Sequence, residues 1–214
     1  PVITSPTSAQ VINGPFNLTA TATDNNAVTT VEFIVDTNAP VADTTSPYST
    51  NLNTTTLTNA VHQLTVKAYD AAGNIGTQII SFTVDNQPPS KPILTPSVIS
   101  DTQINLSWTV STDNLSSVTY DVYRNGSKVN TTPLTTTSFP NTGLVPSTTY
   151  TYFIRATDTI GNSIDSTSVP ATTKAPPLVG DLNGDGRVNI FDASMLFFNW
   201  DSTTTPAYDL NHNG

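Results

Sequence analysis

Cysteine is absent from the 214 residues. That excludes disulfides and thiolate metal sites, and it leaves the redox compartment open. Cations are scarce: seven Lys and Arg stand against sixteen Asp and Glu, for a net charge of −9. Phosphate backbones and anionic lipid surfaces are held by clustered cations, so neither nucleic acid nor a membrane surface is an expected partner. No run reaches the ~18 apolar residues of a membrane span, so no membrane insertion is expected. Groups that do acid–base work are also thin. Glutamate occurs once, at Glu32, and histidine twice, at His62 and His212. Glycoside hydrolysis needs a positioned carboxylate pair in a cleft, and no nucleophile elbow, phosphate loop or dinucleotide fingerprint is present. The chain reads as non-catalytic. It opens at Pro1 with no signal-peptide pattern, as expected of a mature chain or an excised fragment.

Threonine fills the space that charge and cysteine leave, with 40 residues. A β-branched side chain of this kind suits a wet strand surface. Alternation at period two then marks out short half-buried strands. Phe16, Leu18, Ala20 and Ala22 alternate with Asn and Thr, followed by Val31, Phe33 and Val35, by Leu64, Val66 and Ala68, and by Ile80, Phe82 and Val84. After Pro88-Pro89, which cannot continue a central strand, the pattern resumes. It runs through Ile104, Leu106 and Trp108, then Tyr120, Val122 and Arg124, then Tyr150, Tyr152, Ile154 and Ala156. Glu32 falls on the outer face of its strand, and His62, next to a strand, is expected at the surface. Past Ala175-Pro176-Pro177 the pattern changes to a polar, glycine-punctuated loop at 181–192. The stretch 192–200 (DASMLFFNW) reads as a helix with Leu196 and Trp200 on one face.

The expected fold class is all-β: two tandem immunoglobulin-like β-sandwiches, 1–87 and 88–174, a Pro-rich linker at 175–179, and a short EF-hand-like calcium loop–helix in 180–214. The sandwiches echo one another. Asp24-Asn25 before Val28-Thr29 matches Asp113-Asn114 before Val118-Thr119, and Asp70-Ala-Ala-Gly73-Asn74 matches Asp158-Thr-Ile-Gly161-Asn162. In a sandwich these are the B–C and F–G loops, at one pole. The Asp113 and Asp158 loops then face the hand-over segment Asp85-Asn86-Gln87. Converging carboxylates there would attract calcium, whereas Asp and Asn also cap tight turns with their own backbone. Both readings stand at this point, turn chemistry being the simpler.

Three resemblances follow. "TATATDNNAVTTVEFIVD", "DTTSPYS" and "LTVKAYDAAGNIGT" resemble the bacterial immunoglobulin-like domains of secreted enzymes and surface proteins. "YDVYRNG" and "GLVPSTTYTYFIRATD" are similar to fibronectin type III domains, whose tyrosine corner implies that the Tyr150 hydroxyl bonds back to nearby backbone. Residues 181–192, DLNGDGRVNIFD, resemble a dockerin repeat, and Asp209-Leu-Asn211-His-Asn213-Gly214 repeats the first six positions of the same loop.

Calcium takes six to eight oxygens, and a twelve-residue loop offers them at positions 1, 3, 5, 7, 9 and 12. Here those are Asp181, Asn183, Asp185, Arg187 (through its carbonyl), Asn189 and Asp192, with Asp209, Asn211 and Asn213 as a weaker second set. Gly186 stands at position six, where the turn is sharpest. The dockerin resemblance implies Ca2+ as cofactor and a cohesin-like or other surface protein as partner. It places partner recognition at Ile190, Phe191, Phe197 and Phe198. These are apolar where many cellulosomal dockerins carry hydroxyl pairs or a basic residue, so a hydrophobic docking patch and a core role both fit.

The expected function is an extracellular or cell-surface spacer and protein-interaction region of a larger adhesin or polysaccharide-degrading enzyme. A carbohydrate-binding accessory region is one alternative, with Tyr48, Tyr69, Tyr120, Tyr123 and Tyr152 as a stacking face, although alternating strands more often place such rings at a core rim. A fibre subunit that self-assembles is the other.

Overall fold

The computed structural model describes residues 1–184 and 186–198, the last three of these by their backbone. Residues 1–84 hold eight strands: β1 (Val2–Ser5), β2 (Val11–Ile12), β3 (Pro15–Thr21), β4 (Val28–Val35), β5 (Val41–Asp43), β6 (Tyr48–Asn53), β7 (Val61–Asp70) and β8 (Ile75–Val84). They form one sheet ordered β1-β3-β6 and another ordered β2-β8-β7-β4-β5. The alternation seen in the sequence sets the inner faces. Leu18 and Ala20 of β3, Val31, Phe33 and Val35 of β4, Leu64 and Val66 of β7, and Phe82 and Val84 of β8 are buried in a single core. Register keeps those side chains level: Phe33 pairs with Val66, and His62 with Phe82. Each fully buried Phe or Leu contributes roughly 1.5–3 kcal/mol.

The next eight strands are β9 (Leu94–Val98), β10 (Ile104–Trp108), β11 (Thr119–Arg124), β12 (Ser127–Lys128), β13 (Ser138–Asn141), β14 (Thr149–Thr157), β15 (Ser163–Asp165) and β16 (Val169–Thr172). One sheet runs β13-β10-β9 and the other β12-β11-β14-β15, with β16 also on β14. A second, separate core gathers Ile104, Leu106, Trp108, Tyr120, Val122, Tyr152 and Ile154. The Tyr150 hydroxyl accepts the Val145 N–H at 2.9 Å, tying the start of β14 to the turn before it as the fibronectin resemblance implied. Beyond the sandwiches the described chain forms one short helix, α1 (Ile190–Phe198). Among the described residues no helix is long and apolar enough to cross a membrane.

Two sequence expectations are corrected. His62 is a buried residue of β7, 7% exposed, and not a surface one. Its Nδ1 lies 2.7 Å from Asp36 Oδ2 and its Nε2 lies 2.8 Å from the Thr58 carbonyl, and the ring packs near Phe82. It pairs with Phe82 on the inner side of the sheet, and its two polar partners make that burial tolerable. The helix begins at Ile190 rather than at residue 192, because Asn189 caps it: its Oδ1 accepts the Phe191 N–H at 2.8 Å.

Candidate functional site

The C-terminal loop is organised by its two end carboxylates. Asp181 Oδ1 accepts the Gly184 N–H and Oδ2 the Gly186 N–H, both at 2.8 Å, which curls the loop over position one. Gly186 has a φ of +82°, a conformation that explains glycine at position six. At the other end Asp192 Oδ1 accepts from Leu182 and Asn183, at 2.9 and 3.2 Å, bringing position twelve back against positions two and three. Its Oδ2 takes the Asn189 N–H at 2.8 Å. With the Asn189 side chain on the Phe191 N–H, this is a reciprocal helix cap. The Asn189 bond leads the set of backbone bonds that hold the Asp192 carboxyl below its ordinary pKa against the opposing effect of burial.

Arg187 is exposed, as its expected role through the backbone carbonyl permits. Asp185, Asp209, Asn211, Asn213 and Trp200 lie outside the described residues. Of the four expected recognition residues, Ile190 is 74% exposed and Phe191 is 67% exposed, while Phe197 and Phe198 are placed by backbone in α1. The loop's donors are carboxylates and amides, an oxygen set that fits a hard cation such as calcium.

The module junction is a second cluster. Asp70 and Asp158, the echoed loop aspartates, make nearly identical turns. Asp70 Oδ1 accepts from Ala72 and Asn74, and its Oδ2 from the Asn74 amide. Asp158 Oδ1 accepts from Ile160, Gly161 and Asn162, and its Oδ2 from the Asn162 amide. Asp113 Oδ1 likewise accepts from Leu115 and Ser116. Turn chemistry is therefore present in every loop of the echo.

The second sandwich adds contacts across the junction. Asn162 Nδ2 donates to the Asp85 carbonyl at 2.9 Å, and Asn162 Oδ1 accepts from Asn13 Nδ2 at 3.0 Å. Asp85, which follows β8 and donates its N–H to the Ile12 carbonyl, is fully buried at 0% exposed. It sits with Asp113 and Asp158 so that one carboxylate oxygen from each lies within 4.8 Å of the others. Burial first, and then the Asp113 and Asp158 charges, push the Asp85 carboxyl above its ordinary pKa, outweighing its bond from the Gln87 N–H. The sequence placed these loops together, but it did not single out Asp85 itself as a buried carboxylate.

The five tyrosines do not share a face. Tyr48, Tyr120 and Tyr152 are core residues. Tyr69 donates to Glu32 at 2.8 Å on the outer face of the first module. Tyr123 stacks on Phe153 at 4.5 Å with the Arg155 guanidinium over its ring. Its π-surface is engaged by neighbours, the packing that alternation favours for these rings.

Comparison with known proteins bears on the sandwiches. Residues 2–66 match the family described as bacterial Ig domain. The chain is 40% identical over 146 residues to exoglucanase B of Cellulomonas fimi, covering 63% of this chain and 13% of that protein. It is 50% identical over 93 residues to chitinase Chi52 of Paenibacillus xylanexedens, covering 42% of this chain and 17% of that one. It thus spans less than a fifth of the length of either relative. The fibronectin(III)-like modules of Clostridium thermocellum CbhA superpose with a TM-score of 0.51 at 16% identity, covering 81% of this chain and 93% of theirs. The chain is a nearly all-β protein of immunoglobulin- and fibronectin III-like fold whose residues 2–66 are similar to a bacterial Ig domain.

Proposed function

We propose that this chain is a non-catalytic accessory region of a larger secreted polysaccharide-degrading enzyme, acting outside the cell as a spacer that carries a calcium-ordered docking segment. The observation that carries the reading is the kind of relative it has. An exoglucanase and a chitinase each match it over a small share of their length, 13% and 17%. A shared segment that small, built as sandwiches with side-chain-filled cores, supports a role beside a catalytic domain rather than within one. The docking part rests on the C-terminal loop. Asp181 and Asp192 close its two ends, and calcium would be held by Asp181, Asn183, Asp185, Asn189 and Asp192 with the Arg187 carbonyl. Ion binding would order α1 and present Ile190 and Phe191 to a cohesin-like partner.

The full chain tests both parts. Calorimetric titration with cohesin domains in millimolar calcium should give binding that EDTA abolishes. An Asp181→Asn/Asp192→Asn chain that binds the same cohesin undiminished would refute the calcium-ordered docking. Assay of the chain on cellulose and chitin should yield no soluble sugar, and release of sugar would refute the accessory role.

A further inference from the structure

We propose that Asp85, Asp113 and Asp158 bind a calcium ion that locks the first sandwich onto the second. This site is independent of the C-terminal loop and goes beyond the docking function. The three carboxylates come from three separate stretches of chain: the exit of β8, the β10–β11 loop and the exit of β14. They converge to within 4.8 Å at a junction between two separate cores.

Ordinary turn chemistry takes both oxygens of Asp158, Oδ1 through the Ile160, Gly161 and Asn162 N–H groups and Oδ2 through the Asn162 amide, but only one each of Asp113 and Asp85. Asp113 Oδ1 is taken up by Leu115 and Ser116, and Asp85 Oδ1 accepts the Gln87 N–H. The other oxygens, Asp85 Oδ2 and Asp113 Oδ2, are buried without a hydrogen-bond partner, and Asp85 is wholly inaccessible. The Ser111 hydroxyl, two residues before Asp113, is buried and unpartnered as well. Among the described residues the ion pairs are His62–Asp36, Lys128–Asp121 and Arg155–Asp165, and none of them reaches this cluster. Buried like charges with no counter-charge are costly, and they are stabilised either by taking up protons or by a cation.

The donor set selects the cation. Every ligand atom of the triad is a carboxylate oxygen, with no sulfur and no imidazole, which favours a hard ion. Magnesium requires near-ideal octahedral geometry, whereas calcium accepts irregular sets of six to eight oxygens, as loops from two modules would supply. A solvent-open groove lined by Gln87, Lys91, Thr112, Asp113 and Asn114 gives an ion a way in.

The first module supplies an internal comparison. At its own pole Asp70 is held in the same turn as Asp158, with both oxygens taken by Ala72 and Asn74. Among the described residues the triad at the junction is the one group of three close acidic side chains. The difference is Asp85, contributed by the preceding module. Calcium here would convert a repulsive junction into a rigid one, so the spacing between flanking parts of the protein would depend on the ion.

The test uses the full chain with its C-terminal loop disabled as Asp181→Asn/Asp192→Asn. By calorimetry this chain should still take up one calcium per chain, and calcium should raise its melting temperature. Adding Asp85→Asn should weaken that uptake by roughly tenfold or more. In EDTA the Asp85→Asn chain should melt no lower than its parent, since a buried charge has been removed. Asp113→Asn takes its place if that variant does not fold. Asp70→Asn, at the other pole, should leave uptake unchanged. No calcium uptake by the loop-disabled chain overturns the proposal, as does undiminished affinity in a cooperatively folded Asp85→Asn or Asp113→Asn chain. Failure of the C-terminal site is read separately, as equal stoichiometry in the unaltered and loop-disabled chains.

Discussion

The side-chain amide of Asn162, in the second sandwich, donates to the backbone carbonyl of Asp85 in the first at 2.9 Å, and the same amide holds Asp158 Oδ2 at 2.8 Å. One residue thus shapes its own loop and grips the neighbouring module. Asn13 completes the grip from the first module, donating to the Asn162 side chain and to the Ile160 carbonyl.

Asn162→Ala should therefore loosen the junction. It removes several hydrogen bonds of about 1 kcal/mol each without touching either hydrophobic core. Small-angle scattering should show a wider distribution of maximum dimensions than for the unaltered chain, and Asn13→Ala a smaller change of the same sign. Superposable profiles for all three proteins would show that these bonds do not set the module angle.

The two cores share no residues, which predicts separable unfolding. Phe82→Ala should destabilise the first sandwich by about 3–5 kcal/mol, and Ile154→Ala the second by about 2–5 kcal/mol. By calorimetry each change should lower one transition and leave the other nearly in place. A common shift of both transitions would mean that the junction couples the modules into one cooperative unit.

His62 faces a carboxylate through one ring nitrogen and a carbonyl through the other, so both nitrogens are called on to donate. Burial opposes the charged ring most strongly, but the Asp36 and Thr58 bonds outweigh it and hold its pKa above the ordinary 6.5. Burial likewise opposes ionised Asp36, and the Gln63 N–H and His62 outweigh that, holding it below 3.8. The histidine's contribution is complete below pH 6.5 and is lost as pH rises through its higher folded pKa. The aspartate's is complete above pH 3.8 and is lost as pH falls through its lower folded pKa. The stability difference between the unaltered chain and Asp36→Asn should peak between those two values and shrink on either side. Urea titrations from pH 3 to pH 9 measure it, and a difference that is flat with pH would contradict the pairing.

Tyr150→Phe deletes one hydroxyl whose bond to the Val145 N–H spans the turn before β14. Val145 is solvent-exposed, so water can replace the lost partner. The cost should be near 1 kcal/mol, well below that of Ile154→Ala. Equilibrium denaturation of the second sandwich separates the two.

Asp192 both caps α1 and folds position twelve of the loop back onto position two. Asp192→Ala should lower the helical signal in circular dichroism in millimolar calcium, and leave the β-sheet signal unchanged. An intact helical signal would show that α1 is held by something other than this cap.

The sandwiches were legible because strand burial is a local, period-two property. Phe33 and Val66 declare an inner face by alternating with polar neighbours, whichever strand they pair with. The capping of α1 by Asn189 was readable in principle from N-x-x-D at 189–192, a helix-start pattern that ligand spacing overshadowed. The burial of His62 is not legible in the sequence because its polarity is cancelled by Asp36 and Thr58, residues brought to it by folding. The tyrosines were ambiguous for a related reason: alternation places a ring on a face without saying whether neighbours cover it.

By itself the sequence determined the all-β class, the two hydrophobic inner faces, the Pro-rich breaks and the oxygen-rich loop at 181–192, since each follows from residue type and spacing along a few consecutive positions. Tertiary structure alone decided that Asp85 loses all contact with solvent and meets Asp113 and Asp158. The environment of a carboxylate depends on chain remote in sequence, here on loops 28 and 73 residues farther along, and only the packing of one sandwich against the next brings them together.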